Sequence, residues 1–296
     1  MKITNCVLVT MNISSWDANR QDRRVSEEVA TANSVTDKRL CRLRKSLLPK
    51  TEVMDRVYAV IRAARTFHYE NTHAWMHDGP RILAISNFDA YMKQMRRYKA
   101  DFETAVLDFL SQYDAIKGSA QQVLGKLYDA SDYPDATYLR GRYDFETKVQ
   151  PVPVSTGLME LGLEPAEAQA HREKMEADLV DTFQKANRRM WDDLYARLEK
   201  LYSKLSDEKA YVKEETIEAV RGLVELLPRM NITNDEKLEA LALRLKTALV
   251  GLSADAVKRD PTVREKAVLD TQTVFNAMQS FMNSHQGIEQ DIQRAA

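Results

Sequence analysis

Long apolar runs are missing from this chain, and so are most of the residues that build rigid turns or disulfide frameworks. No stretch approaches the ~18 consecutive apolar residues that a membrane-spanning helix needs. The start, MKITNCVLVTMNISSWD, is broken by Asn and Thr and has no small-residue cleavage site, so the chain is expected to stay in the cytoplasm. Two cysteines, Cys6 and Cys41, are too few for a disulfide framework. That fits a reducing compartment and removes the meaning of Asn12 and Asn231 as glycosylation acceptors. Nine glycines and eight prolines in 296 residues argue against a β-sandwich or a disordered tail. Neither sign of charge dominates, since the net charge is -1, which predicts no overall pull toward nucleic acid or an anionic membrane.

Common catalytic signatures are absent as well. The chain has no G-x-G-x-x-G, no G-x-S-x-G and no H-E-x-x-H. Gly118 and Gly125-Lys126 are too far apart for a phosphate-cradling loop, and Leu127 stands where the hydroxyl residue would be. Glu167 and His171 lie four apart, whereas carboxylate-bridged metal bundles use a spacing of three, twice.

What is present is helical patterning. With 44% apolar residues the chain can build a real core as one large domain or two ordinary ones. Ile3, Val7, Leu8, Val9 and Ile13 predict one strand at the start. Leu40, Leu43 and Leu47 predict a helix over 36–48 that Pro49 stops, and Val53, Val57, Val60, Ile61 and Ala64 predict a second one capped by Thr51. Asp78-Gly79-Pro80 predicts a turn between two short extended arms. A stripe from Met95 through Phe102, Phe109 and Ile116 to Leu127, advancing by threes and fours, predicts a long helix from residue 87 to 129. A second stripe, from Met175 through Leu179, Phe183, Met190 and Leu198 to Leu205, predicts another that begins near Pro165. Between them the alternation in RYDFETKVQPVPV predicts an edge strand. Further helices are expected near 209–228, 235–250 and 261–283.

The expected fold is therefore mostly α (α+β). The two long helices bury their stripes on each other as an antiparallel hairpin, accompanied by a small antiparallel sheet and a C-terminal helical bundle. Residues 1–205 hold the sheet and hairpin, with 206–296 packed on them or continuous with them.

Three constellations bear on function. His68, His73 and His77 fall within ten positions of one another beside Glu70 and Asp78, in a chain with five histidines. They are weak metal candidates, because they span a helix end, a strand and a turn with no regular ligand spacing. Asp129, Asp132 and Asp135 lack the rest of a calcium loop and read as turn residues, and Asp192-Asp193 read as solvated helix charges. Residues 1–66 carry 13 Lys and Arg against 7 Asp and Glu, a local net of +6. Within this segment Lys38, Arg39, Arg42 and Lys45 are expected on the polar face of the amphipathic helix, as a partner- or anion-binding stripe bordered by Cys41. Arg140 and Arg142, flanking Gly141 at a strand entry, are a second candidate anion contact.

Several segments together resemble a known family: Ile13-Ser-Ser-Trp16, Thr72-His-Ala-Trp75, Gly79-Pro-Arg81-Ile-Leu83, Phe88-Asp-Ala-Tyr91 with Phe102, Phe109-Leu110-Ser-Gln-Tyr113, and Arg142-Tyr-Asp-Phe145. The family consists of uncharacterised phage and proteobacterial proteins, commonly encoded beside a MoxR-type AAA+ ATPase and a von Willebrand factor A-domain protein similar to the cobalt chelatase T subunit. The resemblance spans roughly residues 1–200. Trp75, Gly79, Arg81 and Leu83 match its pattern, and the histidines do not. It implies no catalytic residue and no cofactor, and it implies an accessory or adaptor protein in the cytoplasm of a phage-infected cell.

The expected function is thus a non-enzymatic adaptor that engages a protein partner, the MoxR-type ATPase or its A-domain companion among them. The alternative is a nucleic-acid-binding protein using the basic N-terminal helix. A third reading is a metal-dependent enzyme at the histidine cluster. Exposed stripe residues would equally serve a homodimer.

Overall fold

The computed structural model describes residues 5–76, 79–153, 165–207, 209–232 and 235–295, with side chains as far as residue 279. Helix accounts for 69% of the chain, which sets the mostly α class. The strands are β1 (Cys6–Ser14), β2 (Asn19–Gln21), β3 (Arg44–Ser46), β4 (His73–Ala74), β5 (Arg81–Ala84) and β6 (Asp144–Pro151). The helices are α1 (Arg23–Ala32), α2 (Glu52–Glu70), α3 (Ile85–Leu124), α4 (Ala136–Arg140), α5 (Pro165–Ser206), α6 (Glu214–Met230), α7 (Glu236–Ala248), α8 (Ala254–Arg259) and α9 (Pro261–Ala295). Among the described residues no helix is long and apolar enough to cross a membrane.

One sheet has the order β4-β5-β1-β6, in which β5 runs antiparallel to both neighbours, pairing Cys6 with Ala84, Val9 with Arg81 and His73 with Ile82. The two arms expected around the D-G-P turn are β4 and β5. Gly79 has φ +111°, a conformation open to glycine and costly for a residue with a Cβ. A second, two-stranded sheet pairs β2 with β3.

The chain divides into two compact units and passes between them after Val9, Glu70, Asp89 and Lys148. Unit 1 comprises 1–9, 71–89 and 149–296; unit 2 comprises 10–70 and 90–148. In unit 1, α5 packs on α6 and α9, and α7 on α6 and α9. Its main core joins Met190, Leu194, Leu198, Leu201 and Leu205 of α5 to Ile217, Val224 and Leu227 of α6, Leu238 and Leu245 of α7, and Val274 and Met278 of α9. A smaller cluster joins Leu179, Phe183 and Ala186 to Cys6, Leu8, Ile82, Ala84, Val152 and Ile232. In unit 2, α2 buries Val53, Val57, Ile61 and Ala64, and α3 buries Tyr91, Met95, Phe102, Val106, Phe109, Tyr113, Ile116 and Ala120. Their aromatic rings meet: Phe67 stacks on Tyr91, and Phe102 and Phe109 meet Phe145 and Tyr143.

Both long helices form as their stripes require, yet the hairpin expected of them is corrected. The α3 stripe from Tyr91 onward is buried in unit 2, and the α5 stripe is covered in unit 1, around Leu179 and Phe183 by residues of β1 and β5 and from Met190 onward chiefly by α6 and α9. A stripe fixes which face is buried and leaves the covering partner open.

The helix expected over 36–48 is corrected too. The Asp37 side chain caps a single 3-10 turn, Lys38–Leu40, and the chain then extends into β3, whose register continues as Leu47 N–H donates to the Ala18 carbonyl at 2.8 Å. Leu40 and Leu43 are exposed while Leu47 and Leu48 are buried. Pairing with β2 satisfies backbone groups that an isolated short helix would satisfy no better, and tertiary contacts override the local pattern. Conversely, α1 forms in a segment for which no element was expected, where Asp22 accepts a hydrogen bond from Val25 N–H at 3.0 Å as its N-cap.

Candidate functional site

The predicted basic stripe separates into an exposed loop and one buried cation. Lys38, Arg39, Leu40, Arg42, Leu43 and Arg44 are exposed, with Cys41 half-buried among them. Arg39 makes a two-pronged contact with Asp37, at 2.9 and 3.0 Å, and Arg44 reaches Asp17 at 2.8 Å. Among the described residues Arg42 donates only to the Arg39 carbonyl, at 3.1 Å. Leu40, at 81% exposure, is flanked along the chain by the exposed Lys38, Arg39 and Arg42.

Lys45 does not belong to that surface. Its side chain is 11% exposed, and Nζ sits 2.9 Å from Asp132 and 3.4 Å from Asp22, while donating to the Leu127 carbonyl at 2.6 Å. Burial works against its charge, but the hydrogen bonds and charges of Asp132 and Asp22 outweigh burial and raise its pKa. The Val25 N–H bond, followed by Lys45, holds the Asp22 carboxyl below the usual carboxylate range. This cluster ties β3 to the start of α1 and to the segment after α3, so Lys45 is a structural cation and not a partner contact.

Arg140 ends α4 and is exposed, with Gly141 at an ordinary negative φ that requires no close backbone approach. Arg142 lies over the Tyr138 ring, 4.7 Å from its centroid, and donates to the Tyr138 hydroxyl. Of the turn aspartates, Asp129 accepts from Ser131 N–H at 2.9 Å and Asp135 caps α4 through Tyr138 N–H at 2.7 Å. Asp192 and Asp193 pair along α5 with Arg188 and Arg189, at 4.0 and 3.8 Å.

The two described histidines of the cluster each have a partner of their own. His68, in unit 2, is buried with Nδ1 at 2.6 Å from the Tyr91 hydroxyl. His73, in unit 1, is buried with Nε2 at 2.9 Å from the Met230 carbonyl. His77 and Asp78 lie outside the described residues. Among the described residues no three His, Cys, Asp or Glu side chains are grouped so as to hold a metal ion.

His73 has a clear structural task. The last carbonyls of α6 have no partner within the helix, and Ser86 Oγ donates to that of Arg229 at 2.9 Å while His73 Nε2 meets that of Met230. Burial above all, with Arg189 and Arg81 adding to it, pulls the His73 pKa down to about 4 against the opposing Met230 hydrogen bond. The ring is therefore neutral near pH ~7, with its proton on Nε2.

The positions on which the resemblance rests have structural partners as well. Arg81 donates through Nε to Thr72 Oγ1 at 2.7 Å and through Nη2 to the Thr72 carbonyl at 2.8 Å, clamping β5 to the residue before β4. Trp75 packs against the small apolar cluster of unit 1, and Gly79 supplies the turn.

A groove between α5 and α6 went unread in the sequence. It has a volume of about 460 Å³ and is lined by Arg197, Lys200, Lys204 and Lys213. The signal was available, since positions 197, 200 and 204 follow one another by three and four along a predicted helix and share a face. No protein-family model, curated protein or solved structure matches this chain.

Proposed function

We propose that this chain is a noncatalytic adaptor whose loop Lys38–Arg44 docks on an acidic protein surface, with Leu40 as the apolar anchor. The observation that carries this reading is Leu40 itself, a large side chain left 81% exposed in the most basic part of the chain. Covering a leucine releases about 1.5–3 kcal/mol, and surrounding cations select a negatively charged rim. The family resemblance supplies the partner: a MoxR-type AAA+ ATPase or its von Willebrand A-domain companion.

The test compares the wild-type chain with a Leu40→Asp/Arg42→Glu variant as bait in phage-infected cells. Both positions are exposed, so the variant keeps the wild-type melting temperature. Retention of the ATPase or the A-domain protein by the wild type, and its loss with the variant, is the expected result. Equal retention by both baits, or retention of neither protein by the wild type, sinks the reading. Duplex DNA bound by the wild type and lost with the variant, weakening steeply as salt rises, moves the loop to nucleic-acid recognition.

A further inference from the structure

We infer that the groove between α5 and α6 is a binding site for a compact ligand carrying a chain of phosphoryl groups, held by Arg197, Lys200, Lys204 and Lys213. The inference is independent of the docking loop, which belongs to unit 2, whereas these residues all belong to unit 1.

Three observations carry it. The groove is large enough for a small molecule, at about 460 Å³, and is bounded by residues of the two helices and the segment that joins them: the four cations, Glu215, Thr216 and Ala219. Four cations therefore face one carboxylate. Lys200, Lys204 and Lys213 make no ion pair with any described residue, in a chain whose other helical charges pair repeatedly at a spacing of four. Finally, the one guanidinium of the set is already oriented. Arg197 is half-buried and Nη1 donates to the Ala219 carbonyl at 3.1 Å, which leaves its other N–H groups as donors at the wall of the groove.

Like charges brought together in a concavity repel one another, and an anion seated among them removes that repulsion while forming charge-assisted hydrogen bonds. A single phosphate spans only a few ångströms, less than the stripe of cations along α5. A run of two or three phosphoryl groups matches the length of the stripe, because positions 197 to 204 cover two turns of helix, roughly 10 Å. No aromatic ring lines the groove among the described residues, so recognition rests on the phosphates.

The experiment uses the full chain and inorganic tripolyphosphate, followed by calorimetric titration and thermal melting at constant ionic strength. The expected result is saturable binding with a rise in melting temperature. Lys200→Glu/Lys204→Glu should weaken that binding at least tenfold, while a control pair on exposed positions, Lys258→Glu/Lys266→Glu, should leave it unchanged. A parallel arm with a nucleoside triphosphate tells the sources of the phosphate chain apart: equal affinity assigns the site to the phosphates alone, and tighter binding assigns it to a nucleotide. If the groove variant unfolds, Lys200→Gln/Lys204→Gln takes its place with the same expectation. Absence of saturable binding to the wild type, or equal weakening by the control pair, overturns the inference.

Discussion

His73 shows how a single buried imidazole can serve stability. Its folded pKa of about 4 lies below the ordinary value of 6.5, so the unfolded chain takes up the proton first as the pH falls. The contribution of the neutral ring is complete above the unfolded value and is lost as the pH drops toward the folded one. Between pH ~7 and pH ~5 this amounts to about 2 kcal/mol. Urea unfolding of the wild type should weaken by that amount over this window, and that of His73→Gln, which retains a donor for the Met230 carbonyl and cannot titrate, should be flatter. Parallel curves would exclude the assignment. The role could not be read from RTFHYENTHAWMHDGP, because Met230, the partner of His73, lies 157 residues away in sequence.

At the scale of elements, the contrast between α5 and the 36–48 segment is instructive. The α5 stripe is long enough that its period survives any local competition, and Leu194, Leu198 and Leu201 are fully buried as their spacing requires. Leu198→Ala should lower the unfolding free energy of unit 1 by about 2–5 kcal/mol, measured by denaturant titration, because the neighbouring helices can relax only partly into the void. The shorter pattern of Leu40, Leu43 and Leu47 loses to β-pairing and to the Lys45 cluster. Asp22 and Asp132 come from opposite sides of the intervening helices, and no sequence window contains all three residues. Lys45→Met leaves those two carboxylates without their shared cation and should cost about 1–3 kcal/mol, seen as a fall in melting temperature; an unchanged temperature would mean that the pair is solvated. Helix α1 was missed for a related reason: its apolar face is short, made of Val25, Val29 and Ala30, and only Ser26 and Ala30 on it are fully buried.

For the molecule as a whole, the division into units runs across the chain order. Unit 2 is assembled from two separated stretches, whereas the main core of unit 1 draws only on residues between Met190 and Met278. A fragment from Pro165 to Ala296 should therefore be helical and melt cooperatively, as read by circular dichroism. A fragment of residues 10–70 should not fold, since α2 finds its aromatic partners on α3. A noncooperative melt of the first fragment would show that the smaller cluster around Phe183 is needed as well.

The sequence by itself determined the elements whose periodicity is long or whose punctuation is strong: both forty-residue helices, the strand at the start, the two arms around Gly79, and with them the mostly α class. Burying an apolar stripe is compulsory in water, so the pattern alone dictates the helix. Tertiary structure alone decided what covers each stripe and which cation is buried between acids. Each of these depends on groups far apart in the chain, and the free energy that selects among equally apolar partners comes from packing that no local window contains.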